Sequence, residues 1–194
     1  MRLSIIRSRK WGHSMDWLNR MVRAAKLDAS FFKQVGQDPS KDGEALVVVA
    51  IASVLGGVVN GILITSSRLG WQLNLSIASM APEFIIGILS CYAVAYLVFR
   101  IGTELFGART RFDAVRRSLA YANAPGLLGV IPCLGVIGVP WSAVAYFVAD
   151  HEILGLSNDR TALTLGLSWV VWFAFLSSVA LLGLATARIV AGGN

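Results

Sequence analysis

The sequence predicts an all-α integral membrane protein, a bundle of five transmembrane helices preceded by an amphipathic surface helix. Three observations support this fold class. Of the 194 residues, 56% are hydrophobic and 14% are charged, whereas soluble domains carry roughly 25% charged residues. The apolar residues form long uncharged runs, each near the ~20 residues that a helix needs to cross a bilayer. Basic residues collect on one side of these runs.

The first element is an amphipathic helix at residues 14–35, inside a basic N-terminal segment (1–43). One helical face is apolar, with Trp17, Leu18, Met21, Val22, Ala25, Phe32 and Val35, and the other is polar, with Asn19, Arg20, Arg23, Lys26 and Lys33. This pattern is typical of a helix lying flat at the membrane surface. The alternative is a helix packed against the cytoplasmic ends of the bundle, and both arrangements can hold at once. The predicted lipid-surface contacts are Trp17, Arg20, Arg23, Lys26, Phe32 and Lys33.

Five spans follow within a membrane domain (44–188), which ends in a short tail (189–194). Asp38 and Pro39 form an N-cap and a first helical residue before the first span. Pro82 and Glu83 repeat that pattern at the second span, with Glu83 near the positive end of the helix dipole. The chain turns tightly after Pro132, so the third and fourth spans form a hairpin. The predicted spans are 45–66, 82–101, 115–132, 136–156 and 163–187.

The distribution of basic residues predicts the orientation. Fifteen Lys and Arg residues lie before the first span, in or beside the second loop, or in the fourth loop, against Arg68 and Arg188 on the other side. The positive-inside rule then places the N-terminus in the cytoplasm and the C-terminus outside a cytoplasmic (inner) membrane. The net charge of +6 faces an anionic inner leaflet. Nucleic-acid binding is not predicted, because no aromatic or helical readers accompany the basic residues.

Small residues four positions apart predict where the helices meet. In lipid, such residues let helix backbones approach closely. The first span carries Gly57, Asn60 and Gly61, a GxxxG motif with a polar neighbour. Similar pairs in the other spans are Gly87, Cys91 and Ala95; Ala145 and Ala149; and Ala174 and Ser178. We expect a compact bundle in which one seam is left for a partner.

The third span contains a break, in the stretch YANAPGLLGVIPCLGVIG (121–138). Pro125 interrupts the helical hydrogen bonds, and Asn123 offers a polar contact beside it. Gly126 and Gly129 would let a neighbouring helix approach the kink. Irregular backbone is tolerated in lipid only where protein covers it, so we expect these residues to face the bundle.

A longer stretch, FDAVRRSLAYANAPGLLGVIPCLGVIGVPWSAVAYFVADHEILGLS, resembles the signature half of the Yip family (Ypt-interacting multi-span membrane proteins). The shared pattern is a basic start, a Tyr-Ala-x-x-Pro span, an Ile-Pro-x-x-Gly turn, a Trp and a Gly-Leu-Ser end. AAKLDASFFKQVGQDPS and VFRIGTELFG are similar to bacterial relatives. The resemblance covers roughly residues 15–188 and implies five spans with a cytoplasmic N-terminus. Eukaryotic members bind prenylated Rab GTPases in vesicle traffic, a role that the short basic N-terminus here gives no reason to transfer.

The polar residues are too few to predict an enzyme. The cluster Asp150-His151-Glu152 begins like a zinc-protease helix but lacks the second histidine, and we interpret it as a solvated helix end. No cofactor or metal is predicted. The sequence favours a non-catalytic protein that organises the membrane, or an accessory or scaffold subunit bound to other membrane proteins or to a second copy. The alternative is a small-solute or ion transporter, with Asn60, Asn123 and the Pro125 break as its polar features.

Overall fold

The chain folds into helices joined by short connections. The computed structural model describes the backbone of residues 16–17, 19–69, 77–130 and 132–192; within these ranges it leaves undescribed the side chains of 59–69, 77–81, 83, 128–130, 132–136, 139, 187 and 189–192. Every regular element in the described ranges is helical, which confirms the all-α prediction. The helices are α1 (16–17 and 19–25), α2 (Ala29–Gln37), a 3-10 turn (Pro39–Lys41), α3 (Asp42–Leu69), α4 (Ile77–Glu104), α5 (Phe112–Ala122), a 3-10 segment (Ala124–Val130), α6 (Pro132–Leu154) and α7 (Asn158–Gly192).

Two helices in the described part of the chain are long and apolar enough to cross a membrane. They are α4, over Phe84–Glu104, and α7, over Asn158–Thr186. At about 1.5 Å per residue, the 28 residues of α3 and of α4 each extend about 42 Å, and the 35 residues of α7 about 52 Å. The count of five spans stays a prediction.

The third predicted span is not one continuous helix. α5 ends at Ala122, and a 3-10 segment continues from Ala124 to Val130. Pro125 has no N–H to donate, and just before it the Asn123 side-chain amide donates to the Leu119 carbonyl at 3.0 Å. α5 and the 3-10 segment together extend about 30 Å, from rises of about 1.5 and 2.0 Å per residue. The hairpin that they form with α6 is therefore shorter than α3 and α4.

The predicted amphipathic helix 14–35 is also broken, because two helices meet at Leu27. The Leu27 N–H donates to the Ala24 carbonyl and the Asp28 N–H to the Arg23 carbonyl. This pair of bonds is the Schellman motif, and Leu27 takes the left-handed conformation that it requires, at φ +60°. Asp28 then starts α2, since its carboxylate accepts from the Phe31 N–H at 3.2 Å.

Two predicted helix starts have different outcomes. Asp38 accepts from the Ser40 N–H at 3.0 Å, with Pro39 as the next residue, which confirms the cap before the first span. The start predicted at Pro82 is wrong. α4 begins at Ile77 and carries Pro82 inside it, where the proline removes one hydrogen bond near the helix end. The Glu83 side chain lies outside the described residues.

The core is built where α2, α5 and α6 meet. α2 packs against both helices of the hairpin, and Phe31 and Phe32 are 1% and 0% exposed. The Phe31 ring meets the Tyr121 ring edge-on, with centroids 5.3 Å apart. α3 and α4 pack against each other, and α7 packs against α4 and α6. The N-terminal helices are therefore part of the bundle.

Candidate functional site

The C-terminal end of α2 is capped by side chains of α5. The last carbonyls of a helix have no partner within it. Arg117, 6% exposed, donates through Nε to the Val35 carbonyl at 3.2 Å and through Nη2 to the Gly36 carbonyl at 2.6 Å. Ser118 donates to the Phe32 carbonyl at 3.3 Å. Two consecutive residues of α5 thus bond to three carbonyls of α2, of which the Val35 carbonyl also accepts from the Asp38 N–H at 3.3 Å.

The same arginine belongs to a cluster that joins four helices, which we call the arginine cluster (Asp42, Tyr92, Arg116 and Arg117). Asp42 Oδ1, at the start of α3, accepts from Arg117 at 3.0 Å and from Arg116 at 2.7 Å. Arg116 also donates to the Tyr92 hydroxyl at 3.0 Å, with its guanidinium carbon 5.5 Å from the centre of that ring. The cluster therefore connects α2, α3, α4 and α5.

The end of α1 is held in a similar way. Trp141 of α6 donates from its indole N–H to the Ala25 carbonyl at 2.7 Å. Arg20 of α1 pairs with Glu44 of α3. Both N-terminal helices are thus fixed to the bundle by donors that occupy their C-terminal carbonyls.

A cavity of about 250 Å³ lies between α3, α4, α6 and the end of α5. Its walls are mostly small side chains on α3 and α4, with two aromatic residues on α6 and α7. The lining residues are Val49, Ala52, Ser53, Gly56, Gly57, Gly87, Ser90, Cys91, Val94, Asn123, Tyr146 and Trp169.

The two largest polar groups of the cavity are bonded to each other. The Tyr146 hydroxyl donates to Asn123 Oδ1 at 2.9 Å. The Asn123 amide nitrogen donates to the Leu119 carbonyl at 3.0 Å and to the Ala120 carbonyl at 3.4 Å. The Asn123 carboxamide is therefore engaged in closing the end of α5, and it fixes the position of Tyr146.

These features lie inside a region that matches a family model. The Yip1 domain model matches residues 28–181. The chain belongs to the Yip family. Comparisons with the curated proteins and with the solved structures found no match. The arginine cluster, the cavity and α2–α6 all fall within the match, as does α7 up to residue 181. The predicted resemblance is confirmed, and this Yip-family chain is a membrane protein.

The structure brings together only some of the predicted packing residues of this Yip-family chain. Gly57 is buried and lines the cavity with Asn123, so the first-span seam is used inside the bundle, against α4. Pro125 is buried, and Gly126 is exposed, with room for a methyl group 3.4 Å from Ser142 Oγ. The side-chain surroundings of Asn60, Gly61 and Gly129 lie outside the described residues.

The predicted lipid contacts also have different outcomes in the structure. Phe32 is 0% exposed, so its predicted insertion into lipid is wrong, because α2 packs against α5 and α6. Trp17 packs against the same core, which agrees with the alternative of a helix packed on the bundle. Lys26 and Lys33 are exposed, and their contact with anionic lipid stays a prediction.

Arg23, another predicted lipid contact, is used at the start of α2. Its Nε donates to Asp28 at 2.7 Å, and its guanidinium lies over the Phe31 ring, 5.1 Å from the centre. Hydrogen bonds from the Ser30 hydroxyl and from Arg23 lower the pKa of Asp28 from 3.8 to about 2. The N-cap carboxylate therefore stays charged at neutral pH, as the positive helix end favours.

The sequence analysis also placed Asp150 wrongly. It is 1% exposed, whereas a solvated helix end was predicted. Its position follows from the buried face of α6, which runs through Ala145, Tyr146, Ala149 and Leu154. Asp150 lies four residues from both Tyr146 and Leu154, a spacing that was visible in the sequence and places the three residues on one helical face.

Proposed function

We propose that this Yip-family protein is non-catalytic and holds another membrane protein, or a second copy of itself, through the outward face of α7. The observation that carries the proposal is a seam of small residues, Ala174 and Ser178, that is exposed on the helix. In lipid, small residues favour helix association because they permit close backbone approach.

The described residues of the other small-residue seams pack within the chain. Gly57 and Cys91 are buried on α3 and α4, and a methyl group at Gly87 would overlap the Ser53 side chain. Ala145 and Ala149 are both 0% exposed on α6. The α7 seam differs from these because no described side chain of the bundle covers it.

The direction of the α7 seam supports a partner outside the bundle. With about 100° between successive residues, Ala174 and Ser178 point about 140° away from the face that packs on α4 and α6. Only 11% of the apolar stretch of α7 is buried within the chain. The partner surface is therefore the side of α7 opposite its own core.

The proposal keeps the predicted topology, with the N-terminus in the cytoplasm and the C-terminus outside the inner membrane. The arginine cluster supports it, since Arg116 and Arg117 lie with Asp42 at the same ends of α3 and α5. A cysteine introduced at Ser157, labelled from outside intact cells, would contradict this orientation.

The test replaces the seam by larger side chains. Ala174→Leu with Ser178→Leu should weaken association about tenfold, because overpacking a close helix contact costs about 1–3 kcal/mol. The matched control is Ala180→Leu with Gly183→Leu, an exposed pair on the opposite side of the same helix. Cross-linking in native membranes, followed by purification in mild detergent, measures the fraction of chain in a complex. Equal fractions for both variants and the unchanged protein would contradict the proposal.

A further inference from the structure

A second cavity, which we call the basic cleft, lies where α1, α2 and the turn before α3 meet. Its volume is about 240 Å³. Three cationic side chains line it, together with one carboxylate, one amide and an aromatic ring. These residues are Arg20, Arg23, Lys41, Asp38, Gln34 and Phe31. Cationic side chains on a protein surface ordinarily keep their charged ends in open water, so three that converge on one cavity point to a ligand of opposite charge.

Two carboxylates that are not among the lining residues hold these cations in position. Glu44 of α3 pairs with Arg20 through Nε and lies 3.6 Å from Lys41 Nζ. Asp28 accepts from Arg23 Nε at 2.7 Å. The Arg20 and Lys41 side chains are accordingly 22% and 27% exposed. The cleft is therefore organised before a ligand arrives.

The cations of the cleft have donors to spare. An ammonium group carries three N–H donors and a guanidinium group five. The 3.6 Å between Lys41 and Glu44 exceeds the length of a hydrogen bond, about 2.7–3.2 Å. The Arg23 Nη atoms reach distant acceptors, Gln34 Oε1 at 3.5 Å and Ser30 Oγ at 3.3 Å. A ligand with several oxygen atoms would give these donors shorter bonds.

The carboxylate of the cleft does not meet this demand. Asp38 Oδ1 accepts from the Ser40 N–H at 3.0 Å and from the Ser40 hydroxyl at 2.7 Å. Arg117 donates to the carbonyl of Val35, which also lines the cleft, so the cleft adjoins the arginine cluster. In the cleft, its two holding carboxylates and that cluster, five cations stand against four carboxylates. One positive charge in this group therefore has no carboxylate to balance it.

The cleft lies at the depth where the uncharged part of the hairpin begins. Arg117 is the last charged residue of α5, and no charged residue follows it until Asp150. The Phe31 ring meets the ring of Tyr121, which is four residues, or about 6 Å, further along α5. The Arg23 guanidinium lies over that Phe31 ring, 5.1 Å from its centre. Arg23 is therefore level with the first turn of the uncharged segment, where lipid headgroups meet the acyl chains.

We propose that the basic cleft binds the phosphate group of an anionic phospholipid headgroup. Guanidinium groups bind phosphate oxygens in pairs, and a lysine adds a compact charge. Basic pockets at the cytoplasmic side of membrane helices bind anionic headgroups. A phosphodiester carries one negative charge, which matches the unbalanced positive charge. The site is more specific than the predicted contact of α1 with the leaflet, because Lys41 and Gln34, outside α1, complete it. The cleft and the α7 seam lie on different helices, so neither proposal depends on the other.

The experiment uses the purified full-length protein in a neutral detergent. It is titrated with phosphatidylglycerol or with phosphatidylcholine of the same acyl chains, and native mass spectrometry counts the lipids bound per chain. Both lipids carry a phosphate group, but only phosphatidylglycerol has a net negative charge. One phosphatidylglycerol should bind per chain, about tenfold more tightly than phosphatidylcholine, because the lining repels the choline cation. Equal affinities for the two lipids would overturn the proposal.

Inorganic phosphate distinguishes a headgroup site from a site for a free anion. Added at the same concentration as the lipid, it should leave phosphatidylglycerol bound, because the acyl chains add apolar contact. Displacement of the lipid by inorganic phosphate at that concentration would make the cleft a free-phosphate site and would overturn the lipid assignment.

Three variants assign the binding to the cleft. Lys41→Gln should weaken phosphatidylglycerol binding about tenfold, because it removes a charged donor. Lys33→Gln is the matched control, since it removes the same charge from an exposed position of α2 outside the cleft, and it should change the affinity less than about twofold. Asp38→Asn should strengthen binding about two- to fivefold, because it removes the carboxylate from the lining while asparagine still caps the following turn.

Asp38→Asn decides the question if Lys41→Gln does not fold, because the expected change is a gain of affinity. An Asp38→Asn variant that binds phosphatidylglycerol more weakly than the unchanged protein would overturn the proposal. Equal losses in Lys41→Gln and Lys33→Gln would do the same, since the lipid would then respond to the overall charge and not to the cleft.

Discussion

Replacing Arg117 by alanine should detach α2 from the bundle. The substitution removes two charge-assisted bonds to the Val35 and Gly36 carbonyls, and one to Asp42, at a position that is 6% exposed. Arg116 continues to pair with Asp42, so the loss falls mainly on the two carbonyls. At about 1.5–3 kcal/mol for each bond to a charged group, we expect a destabilisation of about 3–5 kcal/mol.

The assay is thermal unfolding in mild detergent, measured as the fraction of protein that remains monodisperse at each temperature. For a chain of this length, 3–5 kcal/mol corresponds to a melting temperature lower by about 6–20 °C. Trypsin cleavage after the exposed Lys33 of α2 should accelerate in Arg117→Ala below the melting temperature, because α2 opens locally. Arg117→Lys keeps the charge without the forked donor geometry, so its melting temperature should lie between those of the unchanged protein and Arg117→Ala.

Arg109→Ala is the control, since Arg109 is exposed in the loop before α5. It should melt as the unchanged protein does. An Arg117→Ala variant that melts within about 2 °C of that value, with Lys33 still protected, would refute the role assigned to the α2 cap.

Two further predictions concern packing and charge. Gly87→Ala should destabilise the protein by about 1–3 kcal/mol, because the added methyl group would overlap the Ser53 side chain. Gly56→Ala is the control and should not destabilise it, since nothing lies within 4 Å of a methyl group there. Equal melting temperatures for the two variants would contradict the prediction. The Asp28 pKa of about 2 lies below its ordinary 3.8, so the stabilisation by this N-cap is complete above pH 3.8 and is lost as the pH falls towards 2. Hydrogen exchange of the α2 amides should therefore become faster as the pH falls from 3.8 towards 2. In Asp28→Asn the exchange rate should lack this pH dependence, and the same pH profile in the variant and the unchanged protein would contradict the role of the Asp28 carboxylate.

The long helices were predictable because their signals are local. Composition and uncharged runs locate the ends of α3, α4, α6 and α7 to within two to five residues. The left-handed residue between α1 and α2 was not predictable, because Leu27 is not the glycine that usually marks such a turn. Arg117 is separated by 81 and 82 residues of sequence from the two residues whose carbonyls it caps. A periodic pattern in the sequence cannot indicate a contact over such a separation.

The site was harder to predict than the fold for a related reason. Asp150 stands beside His151 and Glu152, and three polar residues together suggest solvent. A helix turns by about 100° at each residue, so neighbours in sequence face different surroundings. Asn123 was predicted as a polar contact, and the structure shows that its partners are Tyr146 and the end of α5.

The cap on α2 also sets an order of assembly during synthesis. α2 emerges from the ribosome early, and the arginine that caps its Gly36 carbonyl follows 81 residues later. At about 5–20 residues per second, that interval lasts about 4–16 s. Throughout it, α3 and α4 are made while α2 has no docking surface, because α5 and α6 do not yet exist. An isolated helix of nine residues is marginal in water, so α2 forms stably only after α5 and α6 arrive, and a chain stopped before Arg117 exposes Phe31 and Phe32 to whatever lies nearby.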